Sequence, residues 1–91
     1  MVNRNIYKLG QPKLFIDTMP KQDVEEYLEA ILDIVIEKKI AKTSDIAKSL
    51  GVSPSSVTEV IQRLNKNDLI FYEPYKGAKL TEKGLKIANK I

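Results

Sequence analysis

The run Ser53-Pro54-Ser55-Ser56-Val57-Thr58-Glu59-Val60-Ile61-Gln62-Arg63-Leu64 concentrates the residues with the most chemistry in this chain. At helical spacing Val57, Val60, Ile61 and Leu64 fall on one apolar stripe. Ser55, Ser56, Thr58, Glu59, Gln62, Arg63 and Lys66 are left on the opposite face, with Ser53 at the leading end. Hydroxyls at the front of a helix bond phosphate oxygens or base edges, and small side chains there let the helix end approach closely. Glu59 can accept from a cytosine amino group, and Arg63 can serve a phosphate or a guanine. Backbone N–H groups at the helix start add a place for a phosphate. Such a face suits the major groove of DNA. The plain alternative is a polar, solvated helix.

Other chemistries have less to work with. The 91 residues contain no cysteine and no histidine, which removes thiolate metal sites, cysteine nucleophiles, histidine bases and Ser-His-Asp triads. No glycine-rich phosphate loop is present. An enzyme is not expected. No apolar stretch approaches the ~20 residues of a bilayer span, so a soluble cytoplasmic protein without membrane attachment is the expectation. Net charge is +3 and unevenly placed. Residues 1–39 hold six basic and seven acidic side chains, and residues 40–91 hold nine and five. A basic C-terminal half points to a polyanionic partner there.

The elements that would position this face are legible in order. Pro20 precedes a periodic segment in which Asp23 reads as an N-cap with Glu26 completing a capping box. Val24, Leu28, Ile31 and Val35 then predict a helix ending near Lys38 and Lys39. Thr43 reads as the cap of a second helix carrying Ile46, Ala47 and Leu50, with Gly51 as its left-handed stop. Ser53-Pro54 reads as N-cap and first helical residue of a third helix over 54–66. Leu69 to Glu73 is strand-like, Pro74-Tyr75-Lys76-Gly77 a turn, and Ala78-Lys79-Leu80 the returning strand. Thr81 caps a last helix holding Leu85, Ile87, Ala88 and Ile91. Helix, helix, turn, helix, hairpin, helix is a winged helix-turn-helix, mainly α with a small β-hairpin. It spans residues 19–91, and residues 1–18 are expected to be an N-terminal arm over the domain or over a second subunit. Within the expected wing, 72–79, Tyr75 and Lys76 sit at the tip, where a lysine beside an aromatic can follow the DNA backbone or enter the minor groove. Thr43 and Ser44 open the helix that crosses the backbone and suit a phosphate.

These motifs also resemble a family. Asp23-Val-Glu-Glu-Tyr-Leu-Glu-Ala-Ile31, Ser44-Asp-Ile-Ala47, Val52-Ser-Pro-Ser-Ser-Val-Thr-Glu-Val-Ile-Gln-Arg-Leu64, Tyr72-Glu-Pro-Tyr-Lys-Gly77 and Leu80-Thr-Glu-Lys-Gly84 stand in the order and spacing of one domain. It is the N-terminal DNA-binding domain of the diphtheria-toxin-repressor and manganese-transport-regulator (DtxR/MntR-type) metal-dependent repressors. The resemblance covers about residues 19–91. It implies recognition-helix roles for Ser53, Ser55, Ser56, Glu59, Arg63 and Lys66, and a basic wing role for Lys76. It further implies dimers on palindromic operators and repression of metal-uptake genes when Mn²⁺ or Fe²⁺ is bound. Glu26 and Glu29 match family metal-ligand positions, and at i, i+3 they can share a helix face. The remaining family ligands, histidines among them, and most of the dimer interface lie beyond the point where this chain stops. Two carboxylates alone should bind a divalent ion weakly, so an acidic first turn favoured by the helix dipole is the better expectation for them. The chain is then a fragment of a longer repressor or a minimal form without metal control, the latter being the expectation.

The functional expectation is a sequence-specific, dimeric regulator of transcription acting on double-stranded DNA, with Thr43, Ser44, Ser53, Ser55, Ser56, Glu59, Gln62, Arg63, Lys66, Tyr75 and Lys76 as contact residues. The competing reading is a winged helix used for protein–protein contact, built on residues 1–18 and the first helix. A protein-binding face on the third helix would carry exposed apolar anchors.

Overall fold

The computed structural model describes residues 19–89. The N-terminal arm, the whole of 1–18, and Ile91 lie outside these residues. Helix α1 runs Lys21–Lys38 and starts three residues earlier than a cap at Asp23 implies. Pro20, at φ −56° and ψ 137°, occupies the N-cap, and its carbonyl accepts from the Asp23 and Val24 amides at 2.9 and 3.2 Å. Asp23 is therefore an acid of the first turn, and no side chain caps the helix. The Asp23–Glu26 capping box is not formed, because proline's fixed φ already places an acceptor where the box would act. Val24, Leu28, Ala30 and Ile31 are buried. The helix closes through Lys39, left-handed at φ 76°, whose N–H reaches the Val35 carbonyl at 2.7 Å.

Helix α2, Thr43–Leu50, has Lys42 rather than Thr43 at its N-cap. Ala41 explains the shift. Its amide and carbonyl pair with Ala78 at 2.9 and 2.8 Å, so the chain stays extended through Lys42 and turns helical only at Thr43. Ile46 and Ala47 bury the inner face. Gly51, at φ 68°, ends the helix as its sequence position predicts. Ser53 then caps α3, Pro54–Lys66: its hydroxyl accepts from the Ser56 amide at 3.2 Å, with Pro54 at the first helical position.

Helix α3 buries Val57, Ile61 and Leu64, while Val60 is half-buried at the edge of the core. It ends in two crossed bonds, Asp68 N–H to Asn65 O at 3.1 Å and Leu69 N–H to Leu64 O at 3.0 Å. This is a Schellman closure with Asp68, φ 61°, in the position usually held by glycine. Strands β1, Ile70–Glu73, and β2, Gly77–Leu80, pair antiparallel with Tyr72 opposite Ala78 and Phe71 opposite Lys79. The Ala41–Ala78 bridge adds a one-residue third strand that ties the wing to the start of α2.

Thr81 caps the short helix α4, Glu82–Ala88, accepting from the Gly84 amide at 3.0 Å. The same hydroxyl donates to Asp68 O at 2.6 Å, so α4 is pinned to the link between α3 and β1. Leu85 is 39% exposed, and the buried residue of α4 is Gly84, which lies directly against the Leu69 backbone. Leu28, Ile31, Ile46, Val57, Ile61, Leu64 and Ile70 interlock at the centre. Among the described residues no polar or charged side chain is buried, and no helix is long and apolar enough to cross a membrane. The described elements form a winged helix-turn-helix.

Candidate nucleic-acid interface

Because Val57, Ile61 and Leu64 commit one side of α3 to the core, the other side faces outward with Ser55, Ser56, Glu59, Gln62 and Lys66 exposed and Arg63 half-buried. At its leading end the three hydroxyls are already organised. Ser53 Oγ accepts from the Ser56 amide, lies 2.9 Å from Ser56 Oγ and 3.3 Å from Ser55 Oγ. Ser53 is thus a helix cap whose hydroxyl is also bonded to those of Ser55 and Ser56, and all three residues are exposed. Thr58 turns its hydroxyl back onto Pro54 O at 3.1 Å. Further along, Glu59, Gln62, Arg63 and Lys66 line one shallow groove of about 360 Å³. One carboxylate, one amide and two cations within two turns form a mixed donor–acceptor surface of the kind that reads base edges and phosphates.

A second groove, about 350 Å³, lies between the helix starts and the wing. Lys42, Thr43, Ser44, Pro54, Tyr75 and Lys76 line it together. Residues separated by thirty positions in sequence are brought together here by the Ala41–Ala78 pairing. Lys76 lies 3.8 Å from Glu73, with both side chains 68% exposed, a contact too solvated to hold the ammonium against an incoming phosphate. Tyr75 is fully exposed. The expected contact residues therefore form two groups, Thr43 and Ser44 with Tyr75 and Lys76, and Glu59 with Gln62, Arg63 and Lys66. The Ser53–Ser56 hydroxyls stand at the start of the helix that carries the second group.

Sequence reasoning missed Lys42. It is the last extended residue before α2 and projects into the wing groove, a position set by the Ala41 bridge. A lone lysine before a threonine carries no such signal by itself. Lys38, by contrast, turns toward Asp45 at 3.3 Å and joins the end of α1 to the first turn of α2.

The metal-ligand candidates fit a divalent ion poorly. Glu26 and Glu29 are both exposed on α1. Among the described residues no group of three or more His, Cys, Asp or Glu side chains converges on a common point. Two carboxylates leave most of an octahedral oxygen shell to water. On the same helix, burial raises the Tyr27 phenol from its ordinary pKa of 10.0, and the Asp23 carboxylate adds to the rise.

Residues 19–78 match the family described as iron dependent repressor, N-terminal DNA binding domain. The chain is 48% identical over 73 residues to the HTH-type transcriptional regulator MntR of Shouchella clausii (strain KSM-K16), covering 80% of this chain and 51% of that protein. The MntR regulators of Geobacillus thermodenitrificans (strain NG80-2) and Geobacillus kaustophilus (strain HTA426) are each 45% identical over 73 residues, 80% of this chain and 52% of theirs. The chain thus spans about half the length of these relatives. With its winged helix and the match across residues 19–78, the chain belongs to the iron-dependent repressor family.

Proposed function

We propose that this chain is a sequence-specific DNA-binding regulator of transcription that places α3 in the major groove and lays the wing along the backbone or in the adjacent minor groove. The observation that carries the reading is the outward side of α3. It presents hydroxyl, carboxylate, amide and cationic groups, and none of the large exposed apolar side chains of the described residues (Ile36, Val52, Phe71, Tyr75 and Leu85) stands on it. A protein-docking face would need such anchors there. The wing groove adds Lys42 and Lys76 beside the hydroxyls of Thr43 and Ser44, which suits a phosphate backbone.

Repression follows the family's name, and the operator is a palindrome bound by a homodimer. One small module reads few bases, and a two-fold pair doubles the contact area. With three or four phosphates met per subunit, the log–log salt slope of the dimer is about −6. Replacing Arg63 with Ala costs about 1–3 kcal/mol per half-site if the guanidinium reads a base, and a smaller, sequence-independent amount if it meets only phosphate. Glu26 and Glu29 alone do not constitute a Mn²⁺ or Fe²⁺ sensor.

The test is selection of bound oligonucleotides from a random pool with the full chain, with and without Mn²⁺. Enrichment of one palindrome in both conditions supports the reading. No enrichment over unselected duplex, together with no salt-dependent binding, refutes it.

A further inference from the structure

Three non-glycine residues of the described chain have left-handed backbone: Lys39, Asp68 and Tyr75. The first two end helices, where the bonds from Lys39 N–H to Val35 O and from Leu69 N–H to Leu64 O close the terminus. Tyr75 has no such reason. It is the third residue of the turn closed by Lys76 N–H to Glu73 O at 3.0 Å, with Pro74 before it. A positive φ at that position is ordinarily given to Gly or Asn. A glycine does follow at Gly77, where a Cβ would come within 2.6 Å of the Ala41 carbonyl oxygen. The turn thus spends its glycine on the close approach and leaves an aromatic residue at φ 70°.

The ring gains nothing from this in the free domain. Tyr75 is 102% exposed, so it neither fills the core nor covers a neighbour. It does line the wing groove, together with Lys42, Thr43, Ser44 and Lys76. The lining thus brings an exposed aromatic ring together with two ammonium groups and two hydroxyls. That combination suits a single strand of DNA backbone, which offers apolar deoxyribose rings beside anionic phosphates. Backbone strain that buys no internal contact is characteristic of a binding position.

We propose that the wing groove clamps the sugar–phosphate backbone of one DNA strand, with the Tyr75 ring packed on a deoxyribose and Lys42 and Lys76 on the flanking phosphates, and that the domain gives up stability to hold the ring there. The inference rests on the DNA-binding reading above and adds a defined role for the Tyr75 ring and for the left-handed turn that holds it. Sugar and phosphate are common to every sequence, so this contact strengthens binding without selecting bases. The ring is uncharged, so its contribution leaves the salt dependence untouched, whereas each lysine contributes to it.

The full chain and three variants at Tyr75 are titrated with a fluorescent duplex of random sequence at several salt concentrations, and their thermal melts are recorded. Tyr75→Gly and Tyr75→Asn both tolerate the left-handed turn and lack the ring. Each is expected to bind about five- to tenfold more weakly, with the same log–log salt slope as the parent, and to melt roughly 2–8 °C higher. Tyr75→Phe keeps the ring and is expected to restore affinity to within about twofold of the parent. Lys42→Gln is expected to flatten the slope by about 1 for each chain bound. Parental affinity in both ring-less variants overturns the ring contact, and a lower melting temperature in both overturns the strain. A flattened slope in Tyr75→Asn assigns the loss to a displaced Lys76 and overturns the sugar contact. Absence of any salt-dependent binding by the parent chain would instead remove the DNA-binding reading itself, a result these variant outcomes cannot imitate.

Discussion

Gly84 sits at the one place where two opposing effects of a single methyl group can be weighed against each other. On helix propensity alone, Gly84→Ala stabilises α4 by about 1 kcal/mol. Packing argues the other way. A Cβ built on Gly84 lies 3.0 Å from the Leu69 carbonyl carbon and penetrates the van der Waals envelope of its oxygen. Leu69 is 3% exposed and is held by Leu69 N–H to Leu64 O at 3.0 Å, so this backbone cannot yield cheaply. Restoring an ordinary separation of ~3.5–4.0 Å requires α4 to retreat by on the order of 1 Å. That retreat strains the bonds from Thr81 N–H to Leu69 O, 3.2 Å, and from Thr81 Oγ1 to Asp68 O, 2.6 Å, each worth about 1 kcal/mol. It also loosens the packing of Ile87 and Ala88 on the core. Overpacking adds about 1–3 kcal/mol. The net is a loss of about 2–4 kcal/mol, a large part of the ~4–10 kcal/mol available to a domain of this size. Urea denaturation followed by far-ultraviolet circular dichroism measures it. A midpoint equal to or above that of the parent means that α4 adjusts freely, and the claim that it is locked onto the α3–β1 link is then wrong.

Three further expectations follow from the same geometry. Ser53→Ala removes the acceptor of the Ser56 amide and costs about 1 kcal/mol, a fall of about 4–8 °C in Tm for a domain of this length. Ser53→Gly loses only a few tenths of a kcal/mol, and equal losses in the two would show that the hydroxyl is not acting as a cap. The Tyr27 phenol, raised from 10.0 by burial and by Asp23, keeps its proton in the folded chain above the pH at which the unfolded chain releases it. The folded state therefore binds more protons in that window, and stability falls as pH rises past about 10. Tyr27→Phe shallows that fall, and an unchanged alkaline melting profile contradicts the shift. Mn²⁺ titrated into the full chain leaves Tm where it was, because Glu26 and Glu29 are two exposed carboxylates without a third ligand among the described residues. A steady rise in Tm with metal concentration is the contrary outcome, since an ion bound only by the folded state must stabilise it.

What was legible in the sequence, and what was not, divides along a physical line. Gly51, the Ser53-Pro54 start of α3 and the Thr81 cap of α4 were readable because each acts through bonds within four residues of itself. The Asp23 capping box failed because two local signals competed, and Pro20, whose φ is fixed by its ring, prevailed over a side chain that had to find its bond. Thr43 failed as a cap for a different reason. The extended backbone at Ala41–Lys42 is imposed by Ala78, some thirty-seven residues away, and no local rule contains that pairing. Leu85 was a reasonable core residue by type, yet Gly84 took the buried position because α4 approaches the Leu69 backbone too closely for a side chain.

The same division governs the candidate interface. The polar side of α3 follows from the stripe of Val57, Ile61 and Leu64, since a helix that commits one face to the core must expose the other. The wing groove could not be inferred in that way. Lys42 meets Tyr75 and Lys76 only because one pair of backbone bonds, between Ala41 and Ala78, sets the hairpin beside the start of α2. Gly77 permits that approach, and its absence of a Cβ is what keeps the Ala41 carbonyl within reach. The position of the lysines and the left-handed turn at Tyr75 thus share one cause, a crowded wing root whose only glycine is consumed by the bridge. Tyr75→Gly therefore relaxes the turn while Gly77 keeps the bridge, so a loss of affinity in that variant reports on the ring and not on a displaced hairpin.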